Sequence, residues 1–197
     1  MTNAFLLYLR YLEDQVRRRE PLQECDYSKL MAISLPQFFA FPAWFIVPEF
    51  VLEGNHRPDY LVGRILPNGL SYHHVVVETK NSGAVSWQYL MRVQVWDQCD
   101  AAKNDNGKIF CRCLIGFHLC FFTFDISEYQ SSEWFTNFSP LNLNGFDEFQ
   151  LRNMGLEPIV ESIANDDIIQ TIPWNFSNPM HRPYIIQSFT HMVNNMP

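Results

Sequence analysis

Two apolar runs joined by a tight turn, with charge at the outer end of each, constrain this chain more than any other feature. RPDYLVGRIL (57–66) leads into Pro67-Asn68-Gly69 and then into SYHHVVVETK (71–80). Asn and Gly tolerate positive φ, so Pro-Asn-Gly between such runs predicts a β-hairpin. Residues two apart in a strand share a face, which puts Glu78 and Lys80 on one side. The hairpin then brings Asp59 beside Glu78. A buried carboxylate or lysine is costly unless paired or metal-bound. The run HHVVV predicts burial on both faces of this strand, so the charges that close it are not surface decoration.

The flanking pattern extends this unit. Residues 4–19 carry apolar positions at three- and four-residue steps and end in Arg17-Arg18-Arg19, which suits a helix C-terminus. A second helix is expected over about 27–35, stopped before Pro36. AWFIVPEFVLE reads as a first strand and Gly54-Asn55 as a turn. From 85 to 102 the spacing of Val85, Tyr89, Val93, Trp96 and Cys99 is helical. Residues 109–124 form a long apolar segment, read as one or two buried strands. The order is helix, three strands, helix, strand, and the expected fold class is α/β.

The residues Pro58-Asp59 followed by Glu78-x-Lys80, in that order of elements, resemble the PD-(D/E)XK nuclease superfamily. The resemblance covers roughly residues 1–125. It implies a restriction-endonuclease-like core, a central mixed four-stranded sheet flanked by helices in αβββαβ order. It also implies a nuclease that hydrolyses phosphodiester bonds, DNA ahead of RNA, with Mg²⁺ or Mn²⁺ as cofactor. Asp59, Glu78 and the carbonyl of Thr79 would be the ligands, and Lys80 would assist the attacking water. A further acid often comes from the first helix or strand of such proteins, and Glu13, Glu20 and Glu49 are the candidates, Glu13 and Glu49 ahead of Glu20. Relatives also carry a Gln in the helix after the motif. Gln88 and Gln94 fill that role here, with Arg92 as a substrate contact. The helicase-nuclease branch has Gln-x-x-x-Tyr, and this chain departs from it with Gln94-x-x-x-Gln98.

Composition sets the outer limits. At 47% apolar and 18% charged over 197 residues, the chain can build a packed core. Its net charge of −7 argues against a nonspecific nucleic-acid binder, but the charge is unevenly placed. Residues 1–112 hold 12 Lys+Arg and 12 Asp+Glu, whereas residues 113–197 hold 2 and 9, which gives the whole −7. The expected division is a nuclease-like core at 1–126 and an acidic, aromatic C-terminal extension at 127–197 packed on it. Such an extension suits a protein partner or a second copy better than a phosphate backbone. The alternative function is therefore a catalytically weak binding module on a nuclease scaffold. A helix is expected over about 147–164, and a last strand or helix in HRPYIIQSFTHMV.

Cys25, Cys99, Cys111, Cys113 and Cys120 are odd in number and lack disulfide-like spacing, which predicts reduced thiols in an intracellular chain of cytoplasm or nucleus. Cys111, Cys113, His118 and Cys120 lie in one apolar run and read as packed thiols rather than a zinc site. The uncharged stretch 31–48 is interrupted by Pro36 and Pro42 and ends at Pro48, so no membrane span is expected.

Overall fold

The computed structural model describes residues 2–83, 86–128, 138–141, 153, 159–162, 168–171 and 173–197. The chain begins with α1 (Asn3–Arg17), whose first turn is capped by the Thr2 hydroxyl accepting from the Phe5 N–H. Its buried positions, Phe5, Leu9 and Leu12, recur at helical spacing. α2 (Glu24–Ser34) follows a short connection. The Gln23 N–H donates to the Asp26 carboxylate at 2.9 Å and so closes its first turn.

A mixed sheet of mostly antiparallel strands follows. β1 (Trp44–Pro48), β2 (Tyr60–Ile65) and β3 (Ser71–Lys80) form an antiparallel meander. A crossover helix then leads to β4 (Lys108–Ile115), which runs parallel to β3. β5 (His118–Asp125) returns antiparallel to β4. β6 (Phe138–Pro140) and, after the separate pair β7 (Ile159–Ser162) and β8 (Ile168–Thr171), β9 (Trp174–Asn175) both pair with β5. Among the described residues the main sheet thus has seven strands, not the expected four. The apolar run at 109–124 contains a full hairpin, turned at Gly116 (φ 59°), and residues beyond 126 extend the sheet.

The α/β class holds, with helices on both faces of the sheet. α1, α2 and the C-terminal helix Arg182–Asn194 pack with Val75 and Val77 on one face. The crossover helix packs with Val76, Leu61, Ile109 and Cys111 on the other. Alternation along β3 explains this division. β1 is shorter than the sequence pattern suggests, because Glu49 turns at φ 48°. Gly63 in β2 admits the Phe45 ring, which would overlap any Cβ there. Opposite it His74 is an extra residue in β3, a bulge between the Val62–Val75 and Gly63–His73 pairs.

Trp174, Phe176, Ile185, Phe189 and Met192 belong to the same core cluster as α1 and α2. The described C-terminal residues 174–192 are therefore part of this core. Of the helix expected over 147–164, residues 159–162 form a strand, residue 153 is helical and the rest lies outside the described residues. Trp134, Phe135, Phe146 and Phe149 also lie outside them. Among the described residues no helix is long and apolar enough to cross a membrane.

Candidate functional site

The outer ends of β2 and β3 meet at Asp59, Glu78 and Lys80. Tyr60 pairs with Val77, so Asp59 enters the strand directly beside Glu78. One Asp59 oxygen, Oδ2, accepts from the Thr79 backbone N–H at 2.7 Å and from the Thr79 hydroxyl. Glu78 is 4% exposed, and its two oxygens have different partners. Lys80 Nζ donates to Oε1 at 2.7 Å, and Gln98 Nε2 donates to Oε2 at 3.0 Å. Lys80 also donates to Glu24 Oε1 at 3.1 Å.

Each neighbour is placed by an identifiable local cause. Glu24 stands in the first turn of α2, the turn closed by Gln23 and Asp26. Ser28 of α2 hydrogen-bonds Tyr60, the residue after Asp59, which ties that helix to β2. Gln98 comes from the crossover helix, built of α turns at Trp87–Leu90 and Trp96–Ala102 with a π-helical stretch at Met91–Val95. π turns inside α-helices are found mostly at functional sites. Gln94 lies within this one. The side-chain carbonyl oxygens of Gln94 and Gln98 are both buried without a hydrogen-bond partner.

The electrostatics follow from burial and crowding. Burial holds the Asp59 carboxyl above its ordinary range, against the opposing pull of the Thr79 hydrogen bonds and Lys80. Burial and then the Asp59 charge raise Glu78, with Lys80 and Gln98 pulling the other way. Burial alone would lower Lys80, but Glu78 and Glu24 outweigh it and hold the ammonium above its usual value. Lys80 is therefore charged at neutral pH. Glu78 and Glu24 both bond the one ammonium, and the charge of Asp59 acts on Glu78 beside them.

The structure places the other expected residues differently. Glu13 pairs with Arg17 on α1, and its described contacts do not include Asp59 or Glu78. Glu20 is exposed beyond α1. Glu49 donates its backbone N–H to the Asp59 carbonyl at 3.1 Å, but its side chain is exposed. The acid that reaches the site is Glu24. It was legible in Gln23-x-x-Asp26, a capping pattern that starts the helix at 24 rather than 27. The glutamine that reaches Glu78 is Gln98, one turn beyond Gln94. Arg92 is exposed, and the Gln88 side chain lies outside the described residues.

Among the described residues no group of three or more His, Cys, Asp or Glu side chains is arranged to hold a metal ion. The donor set of Asp59 and Glu78 is two carboxylates, all oxygen. That chemistry fits a hard divalent cation better than a soft one. Cys111 and Cys113 are buried with their sulfurs 3.7 Å apart, Cys120 is buried opposite Cys113, and His118 is exposed, the arrangement of packed thiols. Comparison of the chain with protein-family models, curated proteins and solved structures gives no match.

Proposed function

We propose that this protein is a metal-dependent nuclease with a restriction-endonuclease-like core, acting on DNA ahead of RNA. The observation that carries the reading is the Asp59–Glu78–Lys80 constellation at the ends of adjacent strands, with Glu78 buried and Asp59 and Lys80 half-buried. Element order supports it as well, since α2, β1–β3, the crossover helix and β4 follow one another as αβββαβ, with β4 parallel to β3. The additional strands lie beyond β4 and leave that arrangement intact.

In this mechanism Asp59, Glu78 and the Thr79 carbonyl would hold Mg²⁺ or Mn²⁺. Such an ion, when bound, lowers the pKa of a water and polarises the scissile phosphate. The protein's own groups do the rest. Thr79 fixes the Asp59 carboxylate by two donors to one oxygen, leaving Oδ1 outside that pair of bonds. Gln98 orients Glu78. Lys80 stays protonated between Glu78 and Glu24, and its charge offsets the negative charge that builds on phosphorus. Water adds to phosphorus as the bond to the 3′ oxygen breaks, leaving a 5′-phosphate and a 3′-hydroxyl.

A second reading has its own observation. Both Glu78 oxygens already accept hydrogen bonds from within the protein, so the cluster is satisfied without an ion. A binding module on the same scaffold would keep it for stability alone. Plasmid and single-stranded DNA incubated with Mg²⁺, Mn²⁺ or chelator separate the two. Cleavage with metal, abolished by chelator and by Asp59→Ala, is expected. A folded protein that cuts neither substrate with either metal leaves the binding module.

A further inference from the structure

α1 carries a flank that its core packing uses only at Tyr8. Tyr8, Tyr11, Gln15 and Arg18 succeed one another at steps of three and four and so share one side of the helix. The Tyr8 and Tyr11 rings stack, 5.8 Å between centroids and 28° between planes. The Tyr8 hydroxyl donates to the Asp26 carbonyl at 3.3 Å, in the same turn of α2 that presents Glu24 to Lys80. The flank therefore begins beside the helical turn that carries Glu24. Tyr11 is 51% exposed, with Leu7 beside it at 65%.

The arginines at the end of α1 differ in their pairing. Arg17 pairs with Glu13 and Asp14. Among the described residues Arg18 and Arg19, at the end of this side, make no ion pair, and both are exposed. Arg19 turns the chain from α1 toward α2 at φ 60°, a conformation uncommon outside glycine. An exposed ring, Tyr11, stacked on half-buried Tyr8 and followed by unpaired arginines matches a polyanion that also offers flat faces. Base faces are hidden in a duplex and free in a single strand, so stacking on exposed aromatic side chains selects unpaired nucleotides.

We propose that the Tyr8–Tyr11 flank of α1, with Arg18 and Arg19, is a track for single-stranded nucleic acid that feeds the Asp59–Glu78–Lys80 site. The substrate is then an unpaired strand or an unpaired end, with a base on Tyr11 and phosphates on the arginines. This inference rests on the nucleic-acid reading of that site and adds the class of substrate.

The test is anisotropy of a labelled single-stranded oligonucleotide and of the matching duplex, with the full chain in chelator so that nothing is cut. Tyr11→Ala is expected to weaken single-strand binding about tenfold, Tyr11→Phe to retain it, and the duplex to bind more weakly and to ignore both changes. Arg18→Ala is expected to weaken binding and flatten its salt dependence. Single-strand binding unchanged in Tyr11→Ala overturns the track. So does equal sensitivity of the duplex, or a dimer in sedimentation that Tyr11→Ala dissociates. Cleavage assays keep the two proposals apart. Binding through Tyr11 without cleavage in any metal removes the nuclease and keeps the track, and cleavage indifferent to Tyr11→Ala does the reverse.

Discussion

Thr79 donates twice to one oxygen of Asp59, through its backbone N–H and through its hydroxyl. The strand that carries Glu78 and Lys80 thus also locks the carboxylate of its neighbour. Burial raises the Asp59 carboxyl, and these two donors are the main forces holding it down. Thr79→Val should raise it further and move the acid limb of the pH–rate profile to higher pH. Thr79→Ser should restore the profile. Loss of this hydrogen bond to a charged group should lower stability by about 1–3 kcal/mol in urea titration.

Lys80→Ala should abolish cleavage, but it should not be silent in stability. Removing the ammonium leaves Glu78 buried without its cation, a change that typically costs about 3–5 kcal/mol. The deficit should shrink at low pH, where Glu78 takes up a proton. Thermal melts of wild type and variant at two pH values check this. An equal deficit at both would separate Lys80 from Glu78.

Glu24→Gln should act more gently, since Glu24 is 46% exposed at its side chain. Losing one of the two carboxylates beside Lys80 lowers the ammonium pKa. The alkaline limb of activity should therefore move to lower pH, with binding of DNA in chelator unchanged.

Arg112 is fully buried, with Nε and Nη1 unpartnered and Cζ 4.0 Å from the Phe189 ring centroid. Burial drives its pKa well down. A desolvated cation–π contact supplies about 2 kcal/mol, whereas burying an ion costs several kcal/mol. The desolvation penalty outweighs the attraction, so Arg112→Met should stabilise the fold by about 1–3 kcal/mol. A higher urea midpoint at constant slope is the expected result, and a lower midpoint would refute it.

His74 ties the C-terminal helix to β3 by donating from Nε2 to the Met192 carbonyl at 2.6 Å, with Nδ1 buried and bare. Burial lowers its pKa from 6.5 to about 4. The unfolded chain then binds the proton first, so this contribution to stability is complete above about 6.5 and is lost as pH falls toward 4. The loss amounts to about 3 kcal/mol. Asp59 and Glu78, both raised, act in the opposite sense on acidification. The difference between wild type and His74→Gln therefore isolates the histidine. A difference that does not change between pH 7 and 4 would exclude it.

Local chemistry alone determined a good deal of this protein. Pro67-Asn68-Gly69 sets the β2–β3 hairpin, alternation places Val75 and Val77 opposite Val76, and helical spacing marks α1 and the crossover helix. Those are short-range effects, and they were enough to bring Asp59, Glu78 and Lys80 together. Which further groups reach the cluster was decided by helix packing. Glu24 and Gln98 arrive from elements on opposite faces of the sheet, 56 and 20 residues from their partners Lys80 and Glu78. No local pattern encodes such a meeting. The same holds for the C-terminal helix: its apolar face is visible in the sequence, but only tertiary packing puts Phe189 over Arg112 and makes that segment part of the first core. Burial of apolar area rewards any surface that fits, so the sequence shows that a face will be covered without showing what covers it.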